Sequence, residues 1–246
     1  MSSDPGPPYD LIGDVHGCRS ELETLLAELG WEGAHHPDGR TAVFVGDLVD
    51  RGPDTPGVLR LVMAMAAAGT ALSVQGNHEA KLVRALHGAK VRRSHGLEES
   101  LDQLDAQPEE FRRDARAFMA GLPSQLVLDG GRLVVAHAGL REDLHGSDSA
   151  RARAFALYGD TTGHSDEYGL PVRLPWQRDY AGEAVVVYGH TPVTGAEWVN
   201  NTICLDTGVV FGGRLTALRY PELELVDVPA ERQWFVPTRP LAPVAR

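Results

Sequence analysis

The 246-residue sequence predicts an α/β fold, and two observations carry that prediction. Short runs rich in Val, Leu and Ile recur along the chain, and most of them end in Gly-Asp, Gly-Asn or Gly-His. In the first half of the chain these runs alternate with amphipathic segments, a pattern typical of strand–helix–strand units. Their continuous apolar character indicates strands that are buried on both faces.

Eight of these runs are predicted as strands. They are Tyr9–Ile12, Thr41–Val45, Thr70–Val74, Leu133–Ala136, Ala184–Tyr188, Thr202–Leu205, Arg214–Arg219 and Leu223–Val228. Because strands dominate after about residue 180, we expect that part of the chain to close a second sheet.

Three helices are predicted between the early strands. The first carries leucines at the i, i+3, i+4 and i+7 spacing of one helical face over 22–29 and ends at a glycine. The second begins after Asp54 and has Pro56 in its first turn, where the missing N–H costs nothing. The third covers about 77–87.

The chain is predicted to form a single domain over 9–236, with flexible proline-rich tails at 1–8 and 237–246. A helical insertion is expected at about 92–121, where apolar residues recur at helical spacing without strands. Residues 141–180 show no clear period and are rich in Gly, Asp, Thr and Arg. Since long irregular segments in compact domains are often functional, we expect this one to border the active site.

Composition limits the class of protein. The net charge of −11 argues against an extended nucleic-acid-binding surface but permits a local cationic site for a phosphate. Cys18 and Cys204 form neither a CxxC zinc pattern nor a disulfide framework, which favours reduced thiols. With no signal-peptide pattern and a longest apolar stretch of only 61–68, the chain is predicted to be cytoplasmic, without a membrane span.

Six residues in five glycine-bounded motifs could bind metal, and all five motifs follow predicted strands. They are Asp14, His16, Asp47, Asn77, His137 and His190. Carboxylate, amide and imidazole groups of this kind suit two hard or borderline divalent cations. With Arg51 and His78 beside them, the set indicates metal-assisted attack on a phosphate.

The chemistry of each group suggests a role. The two oxygens of Asp47 could bridge two cations. Arg51 offers a planar fork for phosphate oxygens. His78 could protonate a leaving oxygen while Asp50 orients its ring.

Each motif taken alone also has a simpler interpretation. Asp14 and His16 could belong to a surface turn, and Asp50 with Arg51 could form a local ion pair. Asn77 could cap a helix. A single histidine such as His137 is more often structural, and only the whole set in this order favours a metal site.

The order of these motifs resembles that of the calcineurin-like metallophosphoesterases, which include the phosphoprotein phosphatases. The likeness spans residues 9 to about 220. It implies a four-layer αββα sandwich, in which two mixed sheets pack face to face with helices outside, and two metal ions, usually manganese. It further implies that Asp14 and His16 bind the first metal, that Asp47 bridges, and that Asn77, His137 and His190 bind the second. Arg51 would bind the phosphate, and His78 paired with Asp50 would protonate the leaving group.

A closer likeness lies outside the metal motifs. Segments 155–163, 169–173, 198–208 and 211–221 resemble the phosphatase domain of bacterial polynucleotide kinase-phosphatase and its stand-alone diadenosine tetraphosphate hydrolase relatives. No Gly-x-x-x-x-Gly-Lys loop is present, so no kinase is expected here, and the length fits the stand-alone relatives. A separately encoded kinase or ligase partner is left open.

Further residues are weaker candidates. Arg173 or Arg141 could be a second phosphate-binding arginine, and Asp206 could lie near the metals, although structural pairing explains each equally well. A base could stack on an aromatic side chain, or these rings could belong to the core; they are Trp176, Tyr168 and Trp198.

The leading hypothesis is a manganese-dependent phosphoesterase in which a hydroxide bridging two metals attacks a nucleotide-type phosphate. The candidate substrates are RNA ends bearing a 3′-phosphate or 2′,3′-cyclic phosphate and dinucleoside polyphosphates. The alternative is a serine/threonine protein phosphatase. An alternative of another class is a non-catalytic metal-binding module, which is disfavoured because no ligand is missing.

Overall fold

A computed structural model describes residues 8–244 and contains two five-stranded sheets and a separate hairpin. Apart from Pro8, the predicted N-terminal tail therefore lies outside the described residues. In chain order the strands are β1 (Tyr9–Ile12), β2 (Thr41–Phe44), β3 (Ala71–Ser73), β4 (Gln125–Leu128), β5 (Leu133–Ala136), β6 (Thr161–Ser165), β7 (Pro171–Arg173), β8 (Val185–Tyr188), β9 (Trp198–Val199), β10 (Thr202–Cys204), β11 (Arg214–Tyr220) and β12 (Glu224–Pro229).

The helices lie mostly in the first half of the chain. They are α1 (Arg19–Leu29), α2 (Thr55–Ala67), α3 (Asn77–Leu86), α4 (Leu97–Asp105), α5 (Glu109–Gly121) and α6 (Ala150–Tyr158). Short 3₁₀ turns occur at Asp129–Gly131, Glu142–Leu144, Trp176–Asp179 and Val209–Phe211. Among the described residues, none of the helices has the length and apolar character needed to cross a membrane.

Both sheets are mixed, as the family resemblance implies. The first has the order β12–β11–β1–β2–β3, with β1, β2 and β3 parallel. The second has the order β4–β5–β8–β10–β9, with β5, β8 and β10 parallel. The second sheet has an antiparallel strand at each edge, whereas the first has antiparallel strands at one edge and the parallel strand β3 at the other.

Three apolar clusters define four layers. Between the sheets, side chains such as Leu11 and Val43 pack against Val135 and Ile203. The helices α1–α5 cover the outer face of the first sheet. The outer face of the second sheet packs against α6 and the turn at Trp176. The αββα arrangement is therefore confirmed.

The strands after residue 180 were expected to close the second sheet, but this expectation is wrong for β11 and β12. Strand β11 pairs with β1 in the first sheet, and β12 pairs with β11 at the edge. Leu215 of β11 packs toward the helices, whereas Leu218 packs between the sheets. Burial on both faces makes β11 an interior strand, and the choice of sheet depends on distant partners that local pattern does not encode.

Residues 141–180 are more regular than predicted. They contain α6 and the β6–β7 hairpin. Helix α6 escapes detection because Ala and Arg alternate at its start, so its apolar side chains form no continuous face. It begins at Ser149, whose hydroxyl accepts a hydrogen bond from the N–H of Ala152.

The end of the chain, predicted as a tail over 237–246, contacts the domain as far as it is described. The carbonyl of Ala242 accepts a hydrogen bond from the N–H of Thr194 at 3.1 Å. Val244 is buried in the cluster that contains Trp176. The prolines leave this stretch without a helix or strand pattern, but Val244 still packs in the apolar core. Residues 245 and 246 lie outside the described residues.

Helices α4 and α5, expected as an insertion, pack tightly on the main body. Leu97 and Leu104 of α4 and Met119 of α5 are buried in the same cluster as α1–α3. Elsewhere in the core, Cys18 and Cys204 are both buried and free, which agrees with the expectation of reduced thiols.

Substitution of a buried residue in α4 tests this packing. Leu97 is 0% exposed, and we expect Leu97→Ala to lower the free energy of unfolding by about 2–5 kcal/mol through lost burial and the cavity left behind. The matched control is Val236→Ala, at a side chain 75% exposed, which should change it by less than about 0.5 kcal/mol. Urea unfolding of both variants measures the difference; a loss at Leu97 no larger than the control would contradict the packing of α4.

Candidate metal centre

The six predicted metal ligands follow parallel strands of both sheets. Asp14 follows β1, Asp47 follows β2, and Asn77 begins α3 after β3. His137 follows β5 and His190 follows β8. The carboxyl ends of parallel strands are where open α/β sheets place their ligands, and here two sheets supply one site.

Asp47 is the centre of the site. One of its carboxylate oxygens lies 3.6 Å from Nε2 of His16 and 3.8 Å from Nε2 of His78, and the other lies 3.3 Å from Nε2 of His137. Two sets of ligand atoms, each within 4.8 Å of one another, share this residue: His16, Asp47 and His78, and Asp47, His137 and His190. Each oxygen of one carboxylate therefore faces a different potential cation site.

The other predicted ligands complete the cluster. Asn77 Oδ1 lies 2.9 Å from His137 Nε2, and His190 Nδ1 lies 2.9 Å from the same nitrogen. Asp14 accepts a hydrogen bond from the backbone N–H of His190 at 3.0 Å. Within the described residues, Asp14 Oδ1 and His190 Nε2 are buried without a hydrogen-bond partner. Convergent oxygen and nitrogen atoms with buried, unused lone pairs fit divalent metal ions.

Backbone carbonyls orient two of the histidines. Nδ1 of His16 lies 2.8 Å from the carbonyl oxygen of Val49, and Nδ1 of His137 lies 3.0 Å from that of Val45. These contacts assign the proton to Nδ1 and leave the lone pair of Nε2 facing Asp47. The burial of His16 and the nearby Arg51 also hold its pKa well below its usual range, which favours the neutral ligand form.

The electrostatics of the carboxylates also call for a cation. Burial, then repulsion from Asp206 and Asp47, raises the pKa of Asp14 well above its usual range. Burial raises the pKa of Asp206 to about 6. Its repulsion of Asp14 indicates that this weaker candidate lies beside the site. Burial acts in the same direction on Asp47, but His137 and His78 outweigh it and hold its pKa well below its usual range. A bound cation would relieve the repulsion among these groups.

Arg51 and His78 lie beside the metal ligands. The two terminal nitrogens of Arg51 lie 2.6 Å from Nε2 of His16 and 3.0 Å from Nε2 of His78. Nδ1 of His78 lies 2.6 Å from an oxygen of the fully buried Asp50. The structure thus brings together the predicted histidine–aspartate pair and the predicted arginine at one side of the cluster.

Helix α4 supports the turn that carries Asp50, a contribution that sequence reasoning missed. The N–H of Asp50 donates to the hydroxyl of Ser100 at 3.0 Å. Gln103 accepts from the N–H of Thr55 at 2.7 Å and donates to the carbonyl of Gly52 at 3.1 Å. Polar residues on a helix remote in sequence carry no signal of such a role.

Glu79 is a second missed residue, and it fixes the turn of Asp47. Its buried carboxylate accepts the N–H groups of Asp47 at 2.9 Å, Leu48 at 2.7 Å, Val49 at 3.2 Å and Gly76 at 2.8 Å. Burial, together with the charge of Asp47, raises its pKa to about 7. The sequence did carry a signal for it, because the Gly-Asn-His-Glu motif ends in Glu79 and so places an acidic residue in the first turn of α3.

The backbone of the site is unusual, because five site residues occupy the left-handed region. They are His16, Asp47, Asp50, Arg51 and His190, with φ of 47°, 50°, 72°, 71° and 72°. Flanking glycines permit close approach: a Cβ on Gly76 would lie 2.2 Å from Asp47 Oδ1, and one on Gly189 would lie 1.8 Å from Asp14 Oδ1. Such conformations cost energy and cluster at functional sites.

The two candidate arginines differ in position. Arg173 lines a cavity together with His190 and donates to the carbonyl of Tyr158; among the described residues it has no carboxylate partner. Burial lowers its pKa to about 10, and the charge of Arg239 contributes to the same shift. Arg141 instead forms an ion pair with Asp143 at 3.1 Å and lines a separate cavity.

A basic segment, residues 80–97, borders the site on the side of His78. It contains no acidic residue and five cationic ones: Lys81, Arg84, Lys90, Arg92 and Arg93. Lys81 ties the segment to α3 by donating to the carbonyl of Ser94 at 2.9 Å. The backbone of Gly96 packs against that of Arg51, because a Cβ atom on Gly96 would lie 2.1 Å from the backbone nitrogen of Arg51. The net charge of −11 for the whole chain gives no sign of this local positive charge.

A cluster of candidate ligands for divalent metals lies beside an arginine and a buried histidine–aspartate pair on an αββα sandwich, and this combination defines a metal-dependent phosphoesterase. The chain belongs to the calcineurin-like phosphoesterase family, whose family model matches residues 7–226. Two similar proteins, from Anoxybacillus flavithermus and Halalkalibacterium halodurans, are each named bis(5′-nucleosyl)-tetraphosphatase PrpE [asymmetrical]. They are 45% and 47% identical, over 90% and 91% of this chain and 94% of each relative.

Solved structures agree with this family. The crystal structure of a putative diadenosine tetraphosphatase superimposes with a TM-score of 0.67 at 27% identity, covering 94% of this chain and 96% of that one. A serine/threonine phosphatase from Saccharomyces cerevisiae has a TM-score of 0.63 at 17% identity, covering 94% of this chain and 81% of that one. The second likeness concerns the fold alone.

The role of Glu79 can be tested with Glu79→Gln. The amide would point an N–H₂ group at backbone donors, so we expect a loss of about 1–3 kcal/mol in unfolding free energy and of about 10–100-fold in divalent-metal affinity. Calorimetric titration with Mn²⁺ and thermal unfolding measure the two effects. Glu23→Gln, at an exposed pair with Arg19, is the control. Unchanged metal affinity in Glu79→Gln would refute the positioning role.

Proposed function

We propose that this chain hydrolyses dinucleoside polyphosphates and cleaves the phosphate chain asymmetrically. The observation that carries the proposal is the complete donor set around Asp47 with Arg51 beside it. The names of relatives that match nearly the whole chain support the substrate class. The basic segment 80–97 adds support, because a polyphosphate is a polyanion and the rest of the chain is acidic.

We propose that two divalent ions, with Mn²⁺ as the expected metal, bind on the two sides of the shared Asp47 carboxylate, and that His78 is kept for proton transfer. The residues that would hold them are Asp14, His16, Asp47, Asn77, His137 and His190. When bound, such ions supply a nucleophile at neutral pH and Lewis-acid stabilisation of the phosphoryl oxygens. Arg51 and His78 lie beside these six residues. A non-catalytic metal-binding module would have no use for either, so the arrangement disfavours that alternative.

The arginines bind and orient the phosphate. Arg51 presents two terminal nitrogens toward the cluster, so its fork can contact two phosphoryl oxygens and stabilise charge that develops on them. Arg173, which lacks a carboxylate partner among the described residues, is favoured over Arg141 as the second phosphate ligand. Arg141 is neutralised by Asp143.

His78 acts as the proton donor to the leaving oxygen. Its Nδ1 is held by Asp50, so the imidazolium form presents a proton on Nε2 toward the site. When Arg51 turns its fork to the phosphate, Nε2 is free to reach the leaving oxygen. The proton passes from Nε2 to that oxygen, and His78 becomes neutral.

The products of a dinucleoside tetraphosphate test the proposal directly. Asymmetric cleavage divides four phosphates into three and one, so we expect manganese-loaded protein to convert diadenosine tetraphosphate to ATP and AMP. Anion-exchange chromatography of the reaction measures the products. Two equivalents of ADP would contradict the asymmetric assignment. Faster turnover, by kcat/KM, of an RNA 3′-phosphate or a phosphothreonine peptide would favour the rival substrates.

The proton-donor role predicts a dependence on the leaving group. We expect His78→Ala to lower kcat by about 10²–10⁴-fold for a nucleoside 3′-phosphate, whose departing alkoxide needs a proton. For p-nitrophenyl phosphate, whose leaving group is a stable anion, the loss should be much smaller. Steady-state kinetics on both esters make the comparison, with His87→Ala on the exposed end of α3 as the control. Equal losses on both would argue against the role.

A further inference from the structure

A cavity of about 520 Å³ opens beside the metal centre. His190 lies in its lining, and the predicted phosphate ligand Arg173 lies there too. The lining includes neither His78 nor Arg51. The cavity is therefore continuous with the metal centre but lies away from the proposed proton donor.

The C-terminal segment, residues 239–244, forms one wall of this cavity. The carbonyl of Ala242 accepts from the N–H of Thr194 at 3.1 Å, and Arg239 forms an ion pair with Asp166 of the β6–β7 turn at 3.3 Å. Val244 is buried with Trp176. A part of the chain with no helix or strand signal is thus held in place and encloses space next to the metal ligands.

The chemistry of the lining is that of a nucleotide site. Trp176, Tyr188 and Val193 supply apolar and aromatic surface. The volume falls within the range of about 300–1,000 Å³ that small-molecule sites occupy. A cavity with an apolar body and a few polar groups suits a purine or pyrimidine base with its ribose. Of the three aromatic residues considered for base stacking, Trp176 lines the cavity, whereas Tyr168 and Trp198 do not.

The guanidinium of Arg173 offers the same cavity a contact for an anionic ligand. Arg173 and Arg239 both line it. Burial lowers the pKa of Arg173, and the charge of the nearby Arg239 lowers it further. Only Arg239 has a carboxylate partner among the described residues. Asp160 and Asp166 also line the cavity, so its formal charges balance, but Arg173 pairs with neither aspartate. A phosphate can therefore pair with the guanidinium of Arg173.

We infer that this cavity is the nucleoside subsite of the enzyme and that the C-terminal segment is the part of the chain that completes it. The subsite takes the nucleoside of the nucleotide that stays on the metal centre, because the proposed acid His78 lies outside it and the leaving part of the substrate departs on that other side. Arg173 and Arg239 contact the phosphate next to this nucleoside. The inference rests on the proposed function.

A variant that fills the cavity tests the inference. Ala242 lines the cavity at an exposed position, so Ala242→Trp adds bulk to the wall without removing a buried side chain. We expect the loss in kcat/KM to be at least tenfold greater for diadenosine tetraphosphate than for p-nitrophenyl phosphate, which has no nucleoside. Arg239→Gln should act in the same direction. Arg153→Gln, at an exposed position on α6, is the control and should leave the ratio of the two substrates unchanged.

A binding measurement separates this inference from the proposed function. Calorimetric titration with AMP should show a Kd at least fivefold weaker for Ala242→Trp than for the unmodified protein. Equal losses on both substrates, or unchanged AMP affinity in both cavity variants, would overturn the subsite. An unmodified protein that cleaves p-nitrophenyl phosphate but not diadenosine tetraphosphate would instead refute the proposed function, whatever the behaviour of the variants.

Discussion

The buried carboxylate of Glu79 holds the backbone on which the metal centre depends. It accepts four N–H groups from two turns, one that carries Asp47 and one that precedes Asn77. Since Asp47 is shared by both sets of candidate ligands, a shift of its turn would displace both at once. One carboxylate from the first turn of a helix therefore holds together the two first-sheet turns that carry Asp47 and Asn77.

The helical layer has a comparable role on the other side of the site. Ser100 and Gln103 of α4 bond to the turn that runs through Asp50 and Gly52. Asp50 in turn holds His78. Left-handed backbone conformations at Asp50 and Arg51 would be costly in an isolated turn, and they persist because these contacts over-determine it. What the sequence suggests as an inserted helix is thus part of the support of the site.

Local pattern predicted which candidate site residues lie together better than it predicted the residues that position them. Strands β1 and β5 match their predicted bounds, and all six metal-ligand candidates meet at the predicted strand ends. Glu79 and Ser100 bind backbone N–H groups that are distant in sequence. The motif at 76–79 marks the position of Glu79 but not these partners, and nothing in the sequence marks Ser100. The pairing of β11 with β1 and the docking of Val244 depend on surfaces distant in sequence. Helix α6 was not predicted for a simpler reason: its alternating Ala and Arg residues form no continuous apolar face.

The cavity wall and the metal centre come from different kinds of structure. The candidate metal ligands follow parallel strands and are confined by tight backbone contacts, as at Gly189. The C-terminal segment lies outside helices and strands and is held by a few bonds and one buried valine. A change of sequence in this segment can therefore alter which molecules fit without disturbing the ligand geometry. In such an architecture, specificity can diverge among relatives while the reaction stays the same.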